Sequence, residues 1–171
     1  MKNAKYVNMV DVVARTDFLQ EADIRRGIEL LYFGYTNMIK GPDSLLAETG
    51  FGRAHHRAMY FIARRPGLPV SDLLRLLNIT KQSLSRVLSE LQAKDLVAQE
   101  IGKRDRRQRL LSLTEVGARL EADLFDRMRA GVADAYRQAG PHSVSGFWAV
   151  LNGLIPAVDR PLVQELQKSF R

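Results

Sequence analysis

Cysteine is absent from the 171 residues of this sequence. Its absence excludes disulfides, cysteine-ligated zinc sites and a cysteine redox switch within these residues, and we expect a cytoplasmic protein. Long apolar runs are missing too, because none approaches the roughly 20 residues that a membrane-spanning helix needs. Residues 1–11 contain neither the apolar stretch nor the small-residue cleavage site of a signal peptide. We therefore predict no membrane partner.

The motifs of catalysis and cofactor binding are also missing. The chain has three histidines, and no nucleophile motif of a known enzyme class accompanies them. No strand–helix–strand alternation carries the glycine signature of a dinucleotide-binding fold. His55 and His56 are adjacent, so on a helix they point roughly 100° apart and cannot easily hold one metal ion together. We therefore predict no enzyme activity, no cofactor and no metal site.

Basic residues are in excess, since 26 lysines and arginines stand against 19 aspartates and glutamates, which gives a net charge of +7. Such a charge favours a polyanionic partner, although it carries no information on the fold. Hydrophobic residues make up 46% of the chain, which is enough to bury a core. The length suits one domain, or at most two small ones.

Apolar residues recur at helical spacing in six segments, and turn-forming residues separate these segments. The pair Gly41–Pro42 is predicted to end the first segment, and Gly140–Pro141 separates the last two. Two predicted strands, 96–101 and 109–113, follow the fourth helix and enclose a polar hairpin. A short helix closes the chain. The six helical segments are 17–40, 52–65, 71–77, 81–94, 114–139 and 143–158.

The helix predicted at 81–94, with Thr80 as its cap, has two contrasting faces. Its apolar face consists of Leu84, Val87, Leu88 and Leu91. Its polar face consists of Lys81, Gln82, Ser83, Ser85, Arg86 and Ser89. A helix fits the major groove of B-DNA, where glutamine pairs well with adenine and arginine with guanine. Gln82 and Arg86 are therefore the candidates for reading bases. Lys81, Ser83 and Ser85 can serve bases or phosphates.

The hairpin after this helix is strongly basic. Residues 103–109 contain five lysines and arginines against one aspartate, hence a net charge of +4. The minor groove of DNA is narrow and strongly negative, and arginine is the side chain that exploits it best. Asp105 can hold one of the arginines in place through a bidentate ion pair. The candidate DNA contacts of the hairpin are Lys103, Arg104, Asp105, Arg106 and Arg107.

The hairpin and the helix before it resemble those of the MarR family. Asp105-Arg106-Arg107, followed by Leu110, Leu113-Thr114 and Gly117, is similar to that family's wing signature, D-x-R and then L-T-x-x-G. The preceding segment 79–88 is similar to the family's recognition helix. By residue match, the resemblance implies that Arg107 is the wing-tip arginine that enters the minor groove, and that Asp105 braces it.

The resemblance covers roughly residues 19–158 and is specific over 79–117, and the segment 52–57 is similar to a PetP-like branch of the family. It implies a mainly α (α+β) fold, in which a winged helix-turn-helix lobe is combined with a helical dimerisation base. It further implies a homodimeric transcription regulator, in many members a repressor, that binds a palindromic site in double-stranded DNA. The expected divisions are an N-terminal arm at 1–16, a dimerisation region at 17–40 and 114–171, and a DNA-binding lobe at 41–113.

Many members of the family release DNA when a small-molecule effector binds, so the resemblance implies an effector pocket as well. Tyr32, Tyr35, His55 and Met59 are the candidates for lining it. Aromatic residues at helical spacing also serve core or dimer packing, and His55 on an apolar stripe can be a core residue, a ligand contact or a pH sensor. An alternative interpretation of the whole sequence is a winged-helix module that binds an acidic protein surface and not DNA.

Overall fold

Residues 20–168 are described by a computed structural model of the chain. They divide into two compact units, the first ending at Lys40 and the second beginning at Gly41. The arm expected at 1–16 lies outside the described residues. In chain order the elements are α1 (Glu21–Thr49), α2 (Arg53–Arg64), β1 (Leu68–Pro69), α3 (Val70–Leu77), α4 (Lys81–Ala93), β2 (Val97–Ile101), β3 (Arg109–Leu113), α5 (Glu115–Leu154) and α6 (Arg160–Lys168).

The expected end of the first helix at Gly41–Pro42 is wrong, because α1 continues through both residues to Thr49. A proline inside a helix removes one hydrogen bond and costs about 3 kcal/mol. Pro42 and Leu46 are nevertheless buried in the second unit, so the gain from packing opposes that cost. The helix ends instead before Gly50, whose φ of +74° is the left-handed conformation that favours glycine.

The core of the second unit is built from α2, α3, α4, the sheet and α5. The apolar face predicted for α4 is confirmed, since all four of its residues are buried. On α2, Ala58, Met59 and Ile62 are completely buried. The fully buried leucines of this core are Leu68, Leu73, Leu84, Leu91, Leu111 and Leu124.

A three-stranded antiparallel sheet, in the order β1-β3-β2, flanks α4. The two predicted strands are confirmed, and they pair from Val97 opposite Leu113 to Ile101 opposite Arg109. Sequence analysis missed β1, which has two residues and includes Pro69. A strand this short has no periodicity to detect, and proline is confined to sheet edges, which is where β1 lies.

The long helix α5 begins and bends where the sequence indicates. The Thr114 hydroxyl oxygen accepts a hydrogen bond from the Gly117 backbone N–H at 3.0 Å and so caps the helix. The break predicted at Gly140–Pro141 is confirmed, because Gly140 has φ of +78° and ψ of 162° and kinks the helix. After the kink, the helix ends at Leu154, short of the predicted 158.

Both units expose large apolar side chains. In the first unit these lie on α1 and are Ile24, Ile28, Leu30, Leu31, Tyr32, Phe33 and Tyr35. In the second unit, four of them lie on α5 beyond the kink, namely Phe147, Trp148, Val150 and Leu154, and the others are Ile101, Val116, Phe125 and Val158. Among residues 20–168, no helix is both long and apolar enough to cross a membrane.

Candidate nucleic-acid interface

A tight turn joins α3 to α4 and sets the second helix at an angle to the first. Asn78 ends α3 with φ and ψ both at 49°, a left-handed conformation that asparagine tolerates better than most residues. Thr80 then begins α4, because its hydroxyl oxygen accepts a hydrogen bond from the Ser83 backbone N–H at 3.1 Å. The predicted cap is therefore confirmed, and the two helices form a helix-turn-helix.

The polar face predicted for α4 is exposed along its N-terminal half, as the burial of the opposite face requires. Gln82 and Arg86 lie one turn apart, and the side chain of Arg86 is 83% exposed. Ser83 donates its backbone N–H to the cap and its hydroxyl oxygen accepts a hydrogen bond from Thr80 at 2.9 Å. The exposed residues of this face are Lys81, Gln82, Ser83, Ser85 and Arg86.

Arg86 is held at one edge by a carboxylate that sequence analysis did not single out. Its Nε donates to Glu90 Oε1 at 2.8 Å, and Glu90 Oε2 lies 2.7 Å from His55 Nε2 on α2. The hydrogen bond from Arg86, and after it the one from His55, lowers the pKa of the Glu90 carboxyl below its ordinary value. The i, i+4 spacing of Arg86 and Glu90 was a visible signal, but nothing in the sequence connects either residue to His55.

The loop between β2 and β3 is the predicted wing, and its tip is held by the backbone. Gly102 N–H donates to the Gln108 carbonyl at 3.1 Å, and Gln108 N–H donates to the Asp105 carbonyl at 3.0 Å. A Cβ on Gly102 would lie 2.7 Å from that Asp105 oxygen, so only glycine fits. The exposed residues at the tip are Lys103, Arg104, Asp105, Arg106 and Arg107.

Asp105 braces Arg107 in a different way from the expected bidentate ion pair. Its Oδ1 accepts a hydrogen bond from the Arg107 backbone N–H at 2.9 Å, an arrangement that fixes the turn. Within residues 20–168, Asp105 forms no ion pair with an arginine side chain. The carboxylate therefore orients the backbone of Arg107 and leaves its guanidinium uncommitted.

The helix face and the base of the wing adjoin one groove of about 450 Å³. Lys81 and Ser85 line it from α4, while Gln99 and Arg109 line it from the sheet. Arg109 also donates to the Arg106 carbonyl at 3.2 Å, which ties the strand to the wing tip. The exposed face of α4 and the base of the wing therefore border one groove on the surface of the second unit.

The two histidines occupy different environments. His56 is buried, and its Nε2 has no hydrogen-bond partner among the described residues. Burial lowers the pKa of the His56 imidazole, and the nearby Asp43 carboxylate partly opposes that shift. The side chain of His55 is 12% exposed and stacks on the Phe51 ring at a centroid distance of 4.8 Å. The fully buried histidine of the apolar stripe is thus His56, whereas the sequence had indicated His55.

The four candidate pocket residues are distributed over both units. Tyr32 and Tyr35 lie in the first unit, where they are 61% and 49% exposed. His55 and Met59 lie in the second unit, where Met59 is completely buried in the core. The effector pocket stays a prediction.

Known proteins are similar to this chain in sequence and in fold. The MarR family model matches residues 49–108, which run from the end of α1 through the wing loop. The HTH-type transcriptional regulator PetP of Rhodobacter capsulatus is 46% identical over 144 residues, covering 84% of this chain and 87% of that protein.

Two solved structures have a similar fold. NadR in complex with 4-hydroxyphenylacetate has a TM-score of 0.65 and 19% identity, covering 72% of this chain and 88% of that chain. The S. aureus MepR–DNA complex has a TM-score of 0.56 and 19% identity, covering 74% of this chain and 93% of that chain.

Proposed function

Because the chain belongs to the MarR family of DNA-binding transcriptional regulators, we propose that it is a homodimeric repressor of a palindromic operator. In this proposal α4 enters the major groove and the wing enters the neighbouring minor groove. The observation that supports it most is the common groove bordered by Lys81 and Ser85 of α4 and by Arg109 of the wing strand. Two elements on one side of a lobe can contact adjoining grooves of one duplex.

In the major groove, the exposed side chains of α4 have distinct chemical roles. Gln82 can make a bidentate contact with adenine, and Arg86 can make one with guanine. Lys81, Ser83 and Ser85 supply charge and hydroxyl groups for phosphates or bases. We assign base reading to Gln82 and Arg86.

In the minor groove, the wing supplies the arginine. Asp105 fixes the backbone of Arg107 at 2.9 Å, and the Arg107 guanidinium is exposed at the tip. A narrow minor groove concentrates negative potential, which attracts such a side chain. Lys103, Arg104 and Arg106 provide further positive charge for the flanking phosphates.

The exposed apolar faces of α1 and α5 support a homodimer. Side chains such as Ile28 and Phe33, which are 64% and 66% exposed, gain free energy when a second copy covers them. A two-fold dimer presents two copies of α4, and a palindromic operator with half-sites about one helical turn apart matches that symmetry.

An effector that releases the DNA is part of the proposal. NadR, a structural neighbour, was crystallised with 4-hydroxyphenylacetate. Tyr32 and Tyr35 are exposed to solvent and His55 is partly exposed, whereas Met59 is buried in the core. Isothermal titration with aromatic carboxylates, comparing the chain with Tyr35→Ala, tests this part of the proposal.

Selection of binding sites from random duplexes tests the proposed function as a whole. We expect an enriched palindrome, with half-sites centred about 10 base pairs apart, bound by one dimer. Arg107→Ala should weaken binding to every sequence, and Arg86→Ala should relax the preference at one base pair of each half-site. Enrichment of a single unpaired half-site, or unchanged binding by both variants, would contradict the proposal.

A further inference from the structure

Glu90 lies between two basic side chains and uses a different oxygen for each. Its Oε2 lies 2.7 Å from His55 Nε2, and its Oε1 accepts a hydrogen bond from Arg86 Nε at 2.8 Å. The first contact joins α2 to α4, and the second lies within α4. A carboxylate held on both oxygens has little freedom to rotate. Its fixed position therefore restricts the position of the Arg86 guanidinium.

The surroundings of His55 determine which of its nitrogens carries the proton. Gly52 N–H donates to His55 Nδ1 at 3.2 Å, so Nδ1 must present its lone pair. The proton of the neutral ring is then on Nε2, which donates to Glu90. Stacking on Phe51 and an exposure of 12% keep the ring in this orientation. His55 is therefore a fixed anchor for the carboxylate.

The contact with Glu90 involves only the Nε edge of the Arg86 guanidinium. Within residues 20–168, its two terminal nitrogens make no hydrogen bond, and the side chain is 83% exposed. A guanine presents O6 and N7 to two parallel donors, which the terminal nitrogens can supply. An arginine already held at Nε loses less rotational freedom when it binds.

We propose that His55 and Glu90 are positioning residues that orient Arg86 to read one guanine of the operator. The inference rests on the proposed function, since it requires α4 to enter the major groove. Neither positioning residue has to touch the DNA. Their contribution is to specificity, because the Arg86 side chain is held before the base arrives.

Because Glu90 is charged, a positioning role and a merely structural role predict different effects on DNA binding. A carboxylate on the DNA-facing helix repels phosphates, so it weakens binding to any sequence. Removing that charge should therefore raise affinity for random duplexes. Removing the brace on Arg86 should lower discrimination at one base pair. A role in folding alone would instead lower both quantities together.

The experiment measures the affinities of Glu90→Gln, His55→Ala and Arg86→Ala for the selected operator, for each single-base-pair variant and for a random duplex. Glutamine has one acceptor oxygen and cannot serve His55 and Arg86 equally. We expect Glu90→Gln to reduce discrimination at the base pair that Arg86 reads by about twofold to tenfold. It should leave the other positions unchanged and tighten binding to the random duplex.

Rescue and coupling measurements complete the test. His55→Gln retains an N–H donor for Glu90, so it should preserve the discrimination that His55→Ala loses. In an Arg86→Ala background, Glu90→Gln should have no further effect on discrimination, because the two changes act through one group. Glu115→Gln is the matched control, since it breaks an exposed i, i+4 pair with Arg119 on α5 and should leave discrimination unchanged.

Three results would overturn the inference. Glu90→Gln could leave discrimination intact while Arg86→Ala reduces it, or it could weaken operator and random duplexes equally. It could also reduce discrimination further in the Arg86→Ala background, which would mean that Glu90 contacts a cytosine directly. If Arg86→Ala itself has no effect on discrimination, the proposed role of Arg86 fails, which is a different result.

Discussion

At the residue scale, Gly117 shows how a missing side chain sets the distance between two elements. A Cβ at this position would lie 1.9 Å from the Leu96 carbonyl oxygen, which is backbone and cannot move aside. That oxygen also accepts a hydrogen bond from the Thr114 backbone N–H at 3.1 Å. The glycine of the wing signature therefore lets the start of α5 pack against the residue before β2.

Replacing this glycine gives the first prediction. Gly117→Ala should lower the free energy of unfolding by about 2 kcal/mol or more, because the added methyl overpacks a backbone contact. Denaturant unfolding measures the change. The control is Gly131→Ala, where no atom lies within 4 Å of the added Cβ. That substitution should raise stability by about 0.5–1 kcal/mol, because alanine favours the helix. Equal effects at both sites would contradict the packing argument.

His56 gives a prediction for the dependence of stability on pH. Burial lowers its folded-state pKa below the unfolded value, so the unfolded chain binds the proton first. Its contribution to stability is therefore full above pH 6.5, the ordinary pKa of histidine, and is lost as the pH falls below that value. His56→Leu removes this titration and the unpartnered Nε2. We expect the stability difference between His56→Leu and the unchanged chain to grow in favour of the variant from pH 7 to pH 5.

The titration of His56 can be distinguished from that of the charged groups beside it. Asp43 lies nearby and pairs with Arg53 at 2.7 Å, which lowers the pKa of the Asp43 carboxyl. Asp43 therefore stays ionised over this pH range, and unfolding curves of the two chains from pH 7 to pH 5 isolate the imidazole. A difference that does not change with pH would contradict the prediction.

At the element scale, the short helix α6 packs onto the rest of the second unit through two kinds of contact. Leu162 and Leu166 are buried, and Arg64 donates to the Leu166 carbonyl at 2.8 Å. Near its start, Arg75 of α3 pairs with Asp159 at 3.4 Å, and both side chains are about half exposed. The helix is thereby attached to the helix-turn-helix as well as to α2.

The two kinds of contact should differ in energy. Leu166→Ala should cost about 2–3 kcal/mol of unfolding free energy, because it leaves a cavity in a buried site. Arg75→Ala should cost less than about 1 kcal/mol, because exposed ion pairs contribute little. Denaturant titration of both variants compares the values. A larger loss for Arg75→Ala would show that the ion pair and not the apolar contact holds α6.

The elements also show what the sequence could and could not predict. The α4 helix and the wing were predictable, because periodicity, the Thr80 cap and the hairpin glycine are local signals. The course of α1 was not, since the burial that keeps Pro42 in a helix depends on residues far along the chain. The contact of His55 with Glu90 joins residues 35 apart and has no counterpart in any local pattern.

At the scale of the whole molecule, a net charge of +7 is partly concentrated on α4 and the wing. Binding of such a surface to DNA releases counterions from the phosphates, so affinity should fall steeply as salt is added. The charge acts on every sequence alike. Specificity therefore has to come from the few groups that reach base edges.

Salt titrations distinguish these contributions. Arg107→Ala should reduce the slope of log K against log salt by about 0.9, the value for one lost phosphate neutralisation. Arg129→Ala removes the same charge from α5, where Arg129 pairs with Asp126 at 2.9 Å, and it should leave the slope unchanged. Fluorescence anisotropy at four or more salt concentrations gives both slopes. An equal reduction of the slope by both substitutions would show that the slope depends on net charge and not on a contact of the wing with DNA.

Arg107 and Arg86 are held in different ways, and this difference predicts where an operator sequence can vary. Arg107 is secured only through its backbone, so its guanidinium can follow minor grooves of various widths. Arg86 is held through its side chain, because its Nε donates to Glu90 Oε1 at 2.8 Å. The base sequence of an operator should therefore vary where the wing binds, within the limits of groove shape. The guanine that Arg86 contacts should be retained.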